Sequence, residues 1–371
     1  MTDFAVVGGG IAGASAAAHL APHGSVTLLE MERSLAHHTT GRSAALFIVN
    51  YGAQGVRPMA RASRRFLETP PEGSIEAPLL ATRGLLWIGD SEQVNKIAEI
   101  AAGSVGGGED TRELGPDEIT ELVPALRRDR VAVGIYEPDA RDIDVAGLHQ
   151  AYVRIARKHG AEIVTDARVT EIERHGSDWL IRTRQGDVQA RVVVNAAGAW
   201  GDVVAALAGI EPIGLRPMRR TAFMVPGNED YAGWPMVVDA DQRFYFKPDG
   251  VQLLCSLAEE VPSEPTDPRP RMEDVALAIE RINEATTLGI SVVNSEWTGL
   301  RTFAPDRELV IGEDPTAPGF FWLVGQGGVG IQTSPAYGSL LASLVTGEEP
   351  SPDLIEAGVD AALTDPARFR R

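Results

Sequence analysis

The earliest residues able to do chemistry are Gly8, Gly10 and Gly13, in the run Gly8-Gly9-Gly10-Ile11-Ala12-Gly13. In a chain with 39 glycines a G-x-G-x-x-G spacing alone is weak. Its surroundings make it informative. An apolar run at 4–7 precedes it and an Ala-rich stretch to Leu20 follows. A second apolar run at 26–29 ends in Glu30. Gly8 permits a tight turn, Gly10 lets the backbone approach a pyrophosphate, and Gly13 lets helix and strand pack closely. A helix N-terminus there offers free N–H groups and a positive dipole end. Glu30 is placed for ribose hydroxyls and disfavours a 2′-phosphate. Ile11, Ala12 and Met31 are counted with this dinucleotide site.

A second Gly-rich turn, Gly325-Gln326-Gly327-Gly328-Val329-Gly330-Ile331-Gln332-Thr333-Ser334, follows an apolar run at 321–324 and opens the last helical pattern, 330–345. A helix N-terminus there could stabilise negative charge on a reduced flavin. The polar and small residues after Glu30, through Ser34 to Ala45, suit a loop lying along an extended cofactor. Two such turns at opposite ends of the chain suit FAD better than NAD, and no second nicotinamide fingerprint is present.

These motifs need a scaffold. Residues 4–30 read as one βαβ unit and hence a parallel sheet. Residues 46–140 read mainly as helices, with apolar positions at 56, 59, 60, 63, 66 and 67 and again at 94, 97, 98 and 101. Residues 103–108 read as a flexible linker. Asp144 suits an N-cap for a helix to about Lys158. Strand-like runs follow at 161–164, 169–173, 179–183 and 192–195, then antiparallel ones at 221–225, 236–238, 244–247 and 252–257. A Pro-rich connection, a helix at 272–286 and strands at 308–311 and 320–324 complete the pattern. The expected fold is α/β. A Rossmann-like FAD domain (1–45, 141–210 and 300–371) is interleaved with an α+β substrate domain containing an antiparallel sheet (46–140 and 211–299).

Composition narrows the function. Of 371 residues, 34 are Lys or Arg and 52 are Asp or Glu, a formal charge of −18 that disfavours nucleic acid and anionic lipid. The single cysteine, Cys255, permits no intramolecular disulfide, CxxC centre or cysteine-built zinc site, and no metal is expected. The opening Met1-Thr2-Asp3 lacks a signal-peptide pattern. No uninterrupted apolar run of membrane-spanning length occurs. The expectation is a soluble cytoplasmic protein.

The stretches Thr40-Gly41-Arg42-Ser43-Ala44-Ala45, Asn195-Ala196-Ala197-Gly198-Ala199-Trp200, Arg219-Arg220, Phe244-Tyr245, Gly299-Leu300-Arg301 and Gln326-Gly327-Gly328 give the chain a wider resemblance. It resembles, over nearly its whole length, the FAD-dependent D-amino acid oxidase superfamily, which includes glycine and sarcosine oxidases. Within it, the chain is most similar to the bacterial FAD-dependent D-arginine dehydrogenases. The resemblance implies that Arg220 and Arg301 hold a substrate carboxylate, with Tyr245 donating to it and Tyr51 on a nearby loop. It implies that the Gly328 carbonyl accepts from the substrate amine. Gly41, Arg42, Ser43 and Ala44 would line the flavin, and Val169 the adenine end. Ala197, Gly198, Trp200, Arg301 and Gly327 would also contact FAD, held without a covalent bond, and Gly330, Ile331, Gln332 and Thr333 would close over its pyrimidine. The implied reaction is hydride transfer from the α-carbon to flavin N5. It gives an imino acid that hydrolyses to a 2-oxo acid and ammonia, with a quinone, a dye or oxygen as acceptor. A planar guanidinium suits the carboxylate part of this task.

The chain departs from that family where the substrate side chain would lie. Leu85 occupies the position of an acid that receives a cationic substrate, Leu46 that of a histidine and Ile48 that of a small hydroxyl. With Met236 and Val238 these form an apolar wall, against which an unpaired cation is costly. The pocket therefore favours neutral, apolar D-amino acids. The alternatives are an amine or N-methyl amino acid oxidase of glycine or sarcosine type, a flavin-dependent hydroxylase, or a non-catalytic flavoprotein. Alternation sends Arg219 and Arg220 to opposite strand faces, leaving Arg219 solvated. Arg57, Arg61, Arg64 and Arg65 read as a solvated helix face, His37 and His38 as a solvated loop, and Cys255 as a small core residue.

Overall fold

A computed structural model describes residues 1–104 and 111–370. The linker expected at 103–108 lies outside the described residues from 105 onward. Two large sheets organise the chain. In the first, of eight strands, Thr2–Val7 lies between Val26–Leu29 and Gly186–Asn195, parallel to both. Glu162–Val164 extends the parallel set beyond Val26–Leu29, and Phe320–Val324 lies on the far side of Gly186–Asn195. Asp178–Thr183 pairs antiparallel onto the first half of Gly186–Asn195, Val169–His175 pairs antiparallel onto Asp178–Thr183, and Val310–Glu313 pairs onto Phe320–Val324.

The Ile11–Leu20 helix is buried on nearly every side, and its alanines let it lie close to its neighbours. It packs against the helices Val145–Lys158 and Ser334–Thr346. The Asp144 carboxylate caps the former, accepting from Gly147 N at 2.8 Å. A β-carbon on Gly338 would sit 2.1 Å from Ser15 Oγ, so only glycine fits that crossing. The last helix starts at Ser334 rather than at Gly330, because Pro335 sits at its first turn and suits only a helix start. The strand expected at 308–311 begins two residues later, where Arg307 adopts a positive φ and the Glu308 carboxylate turns to accept from Gly55 N at 3.2 Å.

The second sheet has nine strands. Arg216–Pro226, the longest, pairs with Ser295–Phe303 and Gln252–Ser256. The sheet continues through Tyr245–Asp249 and Met236–Asp239 to Leu85–Gly89, Val133–Glu137 and Arg112–Leu114. Leu85–Gly89 and Met236–Asp239 are parallel, the exception in an otherwise antiparallel sheet. The strands at 85–89 and 133–137 lie in the region read as mainly helical. A further three-stranded sheet joins Leu46–Phe47 and Leu80–Thr82 to Arg141–Ile143.

The Val56–Glu68 helix buries Val56, Met59 and Ala62 in the same core cluster as Val6, Leu28 and Tyr337. It thus packs on the first sheet's side of the molecule. Arg61 and Arg65 on this helix are exposed, but Arg57 donates to Gly103 O at 2.7 Å and Arg64 lies over the Phe47 ring, so the arginine face is only half solvated. Among the described residues, no helix is long and apolar enough to cross a membrane.

The tightest constraint in the first sheet is the turn after Thr2–Val7. Gly8 has φ +110°, and a β-carbon on Gly13 would lie 1.8 Å from Gly8 O. Gly13→Ala must push helix and strand apart. It is expected to cost about 1–3 kcal/mol of stability, read as a lower urea midpoint of the cofactor-free protein.

Candidate functional site

One long cleft runs from the Gly8 turn to the second sheet. At the first end the turn is held from several sides. Gly8 N donates to Leu29 O at 2.8 Å, and Gly9 N to Glu30 Oε2 at 2.6 Å. His149, buried on the Val145–Lys158 helix, donates from Nε2 to Gly9 O at 3.0 Å. Ile11 N donates to Thr40 Oγ1 at 2.9 Å, tying the helix start to the next loop. Glu30 is buried and also accepts from Glu32 N at 2.8 Å. Its carboxylate therefore shapes the turn while it lines the cleft.

This half fits an adenine dinucleotide. The helical ladder begins at Ala14 N to Gly10 O, leaving N–H groups of the first turn outside it. A β-carbon on Gly198 would meet nothing within 4 Å, so open space borders that backbone. Thr302 Oγ1 and His38 Nδ1 are buried polar atoms without a hydrogen-bond partner among the described residues, and both residues line the cleft.

The segment 39–42 is laced to the Ser295–Phe303 strand. Thr39 Oγ1 donates to Leu300 O, Arg42 Nη1 to Thr298 O, and Trp297 Nε1 to Arg42 O, at 2.8, 2.8 and 3.0 Å. Arg42 also pairs with Asp267 at 2.5 Å, so its guanidinium is committed to protein. Gln332 Oε1 accepts from Ile48 N at 2.8 Å, joining the second Gly-rich turn to the pocket wall.

At the far end, strand register sets the geometry. Arg220 pairs with Gly299 and Met218 with Arg301, which makes the two arginines diagonal neighbours on one face. Arg220 is 8% exposed. Its Nε donates to Glu259 O at 2.8 Å, and its Nη2 lies 3.5 Å from Glu260 Oε1. Glu260 also pairs with Arg307 at 3.0 Å. Burial, and then the Arg301 charge, push the Arg220 guanidinium below its ordinary pKa, while Tyr245 and Tyr51 are close enough to act the other way. Among the described lining residues Glu30 is the only carboxylate, and it belongs to the other end. Two cations at a cleft end with no facing carboxylate among the described residues suit an anion.

Leu46, Ile48, Leu85, Met236 and Val238 do meet there, with Val238 beside Tyr245 and Met236 beside Leu85 in register. Trp87, Ala222, Gln242 and Ala258 also line this end, and the sequence reading missed them. The remaining expected residues line the cleft, save three. Gly13 lies behind Gly8. Gly41 turns its N–H to Ala36 O at 3.0 Å. Thr333 is fully buried and donates from Oγ1 to Val329 O at 2.9 Å.

Other expectations change. Arg219 is not solvated. It is 7% exposed and donates to Arg269 O at 2.6 Å, because the Pro-rich connection covers its face. His38 is no free loop side chain, since its Nε2 meets Glu32 Oε1 at 3.0 Å and its ring lies 4.7 Å from that of Trp200. His37 is exposed at the cleft edge. Cys255 is fully buried in the second sheet's outer core, where burial raises its thiol pKa.

Glu259 yields a test. Its Oε1 accepts from Thr221 N at 2.5 Å, its Oε2 is buried without a partner, and burial pushes its carboxyl pKa up. A carboxyl with a raised folded pKa adds stability that is present at low pH and lost as pH rises through that value. Glu259→Gln keeps the acceptor and removes the charge. It is expected to melt at a higher temperature than the parent at about pH 8 and at the same temperature at about pH 4.

Comparison with known proteins places this geometry. A family model described as FAD dependent oxidoreductase matches residues 3–344. Human mitochondrial sarcosine dehydrogenase is 26% identical over 394 residues, covering 100% of this chain and 42% of that protein. Rat mitochondrial dimethylglycine dehydrogenase is 27% identical over 212 residues, 56% of this chain and 25% of that protein. The chain thus spans less than half the length of these curated relatives. Among solved structures, glycine oxidase from Geobacillus kaustophilus superposes with a TM-score of 0.84 at 23% identity, covering 97% of this chain and 98% of that one. L-proline dehydrogenase from P. horikoshii gives 0.85 at 23%, covering 100% and 98%. These structural likenesses show the shared fold.

Proposed function

The chain belongs to the FAD-dependent oxidoreductase family, with FAD as its cofactor, and we propose that it oxidises a small α-amino acid or N-alkyl amino acid at the carbon–nitrogen bond. The observation that carries this reading is the pair of buried Arg220 and half-buried Arg301, converging with Tyr245 and Tyr51 at one end of a cleft whose other end fits the dinucleotide. A fork of guanidinium donors matches a carboxylate bidentately. Holding the substrate by its carboxylate fixes where its α-carbon and nitrogen lie, which is most of what a hydride donor requires of the protein. FAD, when bound, supplies the two-electron acceptor.

The chain's own residues do the rest. Arg220 is braced from behind by the Glu259 carbonyl and the Glu260 carboxylate, so its guanidinium stays in place for the incoming anion. Gly328 lies against Arg301, where a β-carbon would come within 3.0 Å of its Nη1, and the family resemblance makes its carbonyl the acceptor for the substrate amine. Leu46, Leu85 and Val238 exclude water from the reacting carbon. No side-chain base is assigned, and the amine reacts in its neutral form or loses its proton to water.

Sarcosine dehydrogenase, dimethylglycine dehydrogenase and glycine oxidase among the relatives support a glycine or N-methyl glycine type of substrate. The apolar wall supports a second reading, a neutral D-amino acid with an apolar side chain, because burying such a group there gains roughly 1.5–3 kcal/mol. Anaerobic mixing of the FAD-loaded protein with glycine, sarcosine, dimethylglycine and paired D- and L-amino acids separates them by which ones bleach the flavin. Arg220→Lys is expected to retain FAD and to need ten- to a hundredfold more substrate for half-maximal bleaching, as losing about 1.5–3 kcal/mol of charged hydrogen bonding requires. An Arg220→Lys protein with unchanged substrate dependence removes the carboxylate clamp.

A further inference from the structure

The substrate end of the cleft has a back wall. Trp87 lies two residues beyond Leu85 on the same strand, so both face the cleft. It is 7% exposed and sits between Val238 and Ile135 in register. Glu137 stands directly across from Leu85 on the next strand and is equally buried. Its carboxylate accepts from Asn50 Nδ2 at 3.1 Å. Asn50 immediately precedes Tyr51, which lines the cleft beside Arg220. One buried acid thus ties the strand facing Leu85 to the loop that carries Tyr51.

Trp87 is packed in one buried cluster with Leu46, Leu85, Ile135, Val238 and Tyr245, so the rigid indole has no room to swing aside as a methionine or leucine does. We propose that Trp87 sets the depth of the substrate pocket and limits the enzyme to amino acids whose α- or N-substituent is short. Trp87 is the specificity-determining residue. This rests on the amino-acid reading of the site. It narrows that reading toward substrates of glycine, alanine or N-methyl size and away from long side chains, whether apolar or charged.

The test separates pocket depth from catalysis by using carboxylates that cannot react. Acetate, butyrate and hexanoate are titrated into the FAD-loaded full chain, and dissociation constants are read from the change in flavin absorbance. The parent is expected to discriminate at least tenfold against hexanoate relative to acetate. Trp87→Ala is expected to abolish or reverse that preference with acetate binding changed less than threefold. Trp87→Phe, a smaller ring at the same place, is expected to fall between the two. Discrimination unchanged in Trp87→Ala, or none in the parent, overturns the proposal and leaves the carboxylate clamp standing. If no carboxylate perturbs the flavin and no amino acid bleaches it, the clamp itself falls and the pocket assignment with it.

Discussion

A buried cation and a half-buried one lie side by side. Arg220 and Arg301 face one cleft from neighbouring strands, and burial and mutual repulsion both act against the charge on Arg220. Such a pair survives only if something offsets it. The offset comes from behind the strand, through the Glu259 carbonyl and the Glu260 carboxylate, and Arg307 anchors Glu260 from the solvent side. Among the described residues this end of the cleft has no acid, so the unmet attraction of the pair points inward. The register of Arg216–Pro226 with Ser295–Phe303 sets the spacing of those two side chains.

The dinucleotide end obeys a different constraint, one of closeness rather than charge. Gly8 and Gly13 bring strand and helix so near that no side chain fits between them. Glu30 and His149 then brace the intervening Gly9 from opposite sides. The two ends are joined by short-range lacing. Thr39, Arg42 and Trp297 hold the loop after Glu30 to the strand that bears Arg301, and Gln332 holds the second Gly-rich turn to Ile48. Cofactor and substrate surfaces therefore share one frame.

What could be read from the sequence follows from how local each feature is. The Gly8 turn, the helix behind it and Glu30 lie within one βαβ unit, so spacing alone found them. The arginine clamp needed resemblance, since Arg220 and Arg301 are far apart in the chain and nothing in their neighbours announces a diagonal pair. Leu85–Gly89 is an uninterrupted apolar run whose parallel partner begins at Met236. A strand buried on both faces shows no alternation, and its register cannot be inferred from one segment. Trp87 was therefore invisible as a pocket wall although Leu85 was not. Arg219 misled for a related reason: alternation correctly separated it from Arg220, but the Pro-rich connection that buries it arrives from some fifty residues downstream, through Arg269.

The crossing of the Ile11–Leu20 helix with the Ser334–Thr346 helix bears on how the chain comes into being. Ser15 Oγ donates to Ser334 O across 319 residues of sequence. Phe320–Val324 must also dock beside Gly186–Asn195 to complete the parallel sheet. The first βαβ unit has no partner for one side of its helix until the segment some 319 residues further along has been made. At about 5–20 residues per second its alanine-rich face waits tens of seconds, exposed or shielded by other proteins. Contacts of such long sequence separation also slow the search for the native state. The same late closure means that the cofactor surface is complete only once the segment from Phe320 to Thr346 has docked.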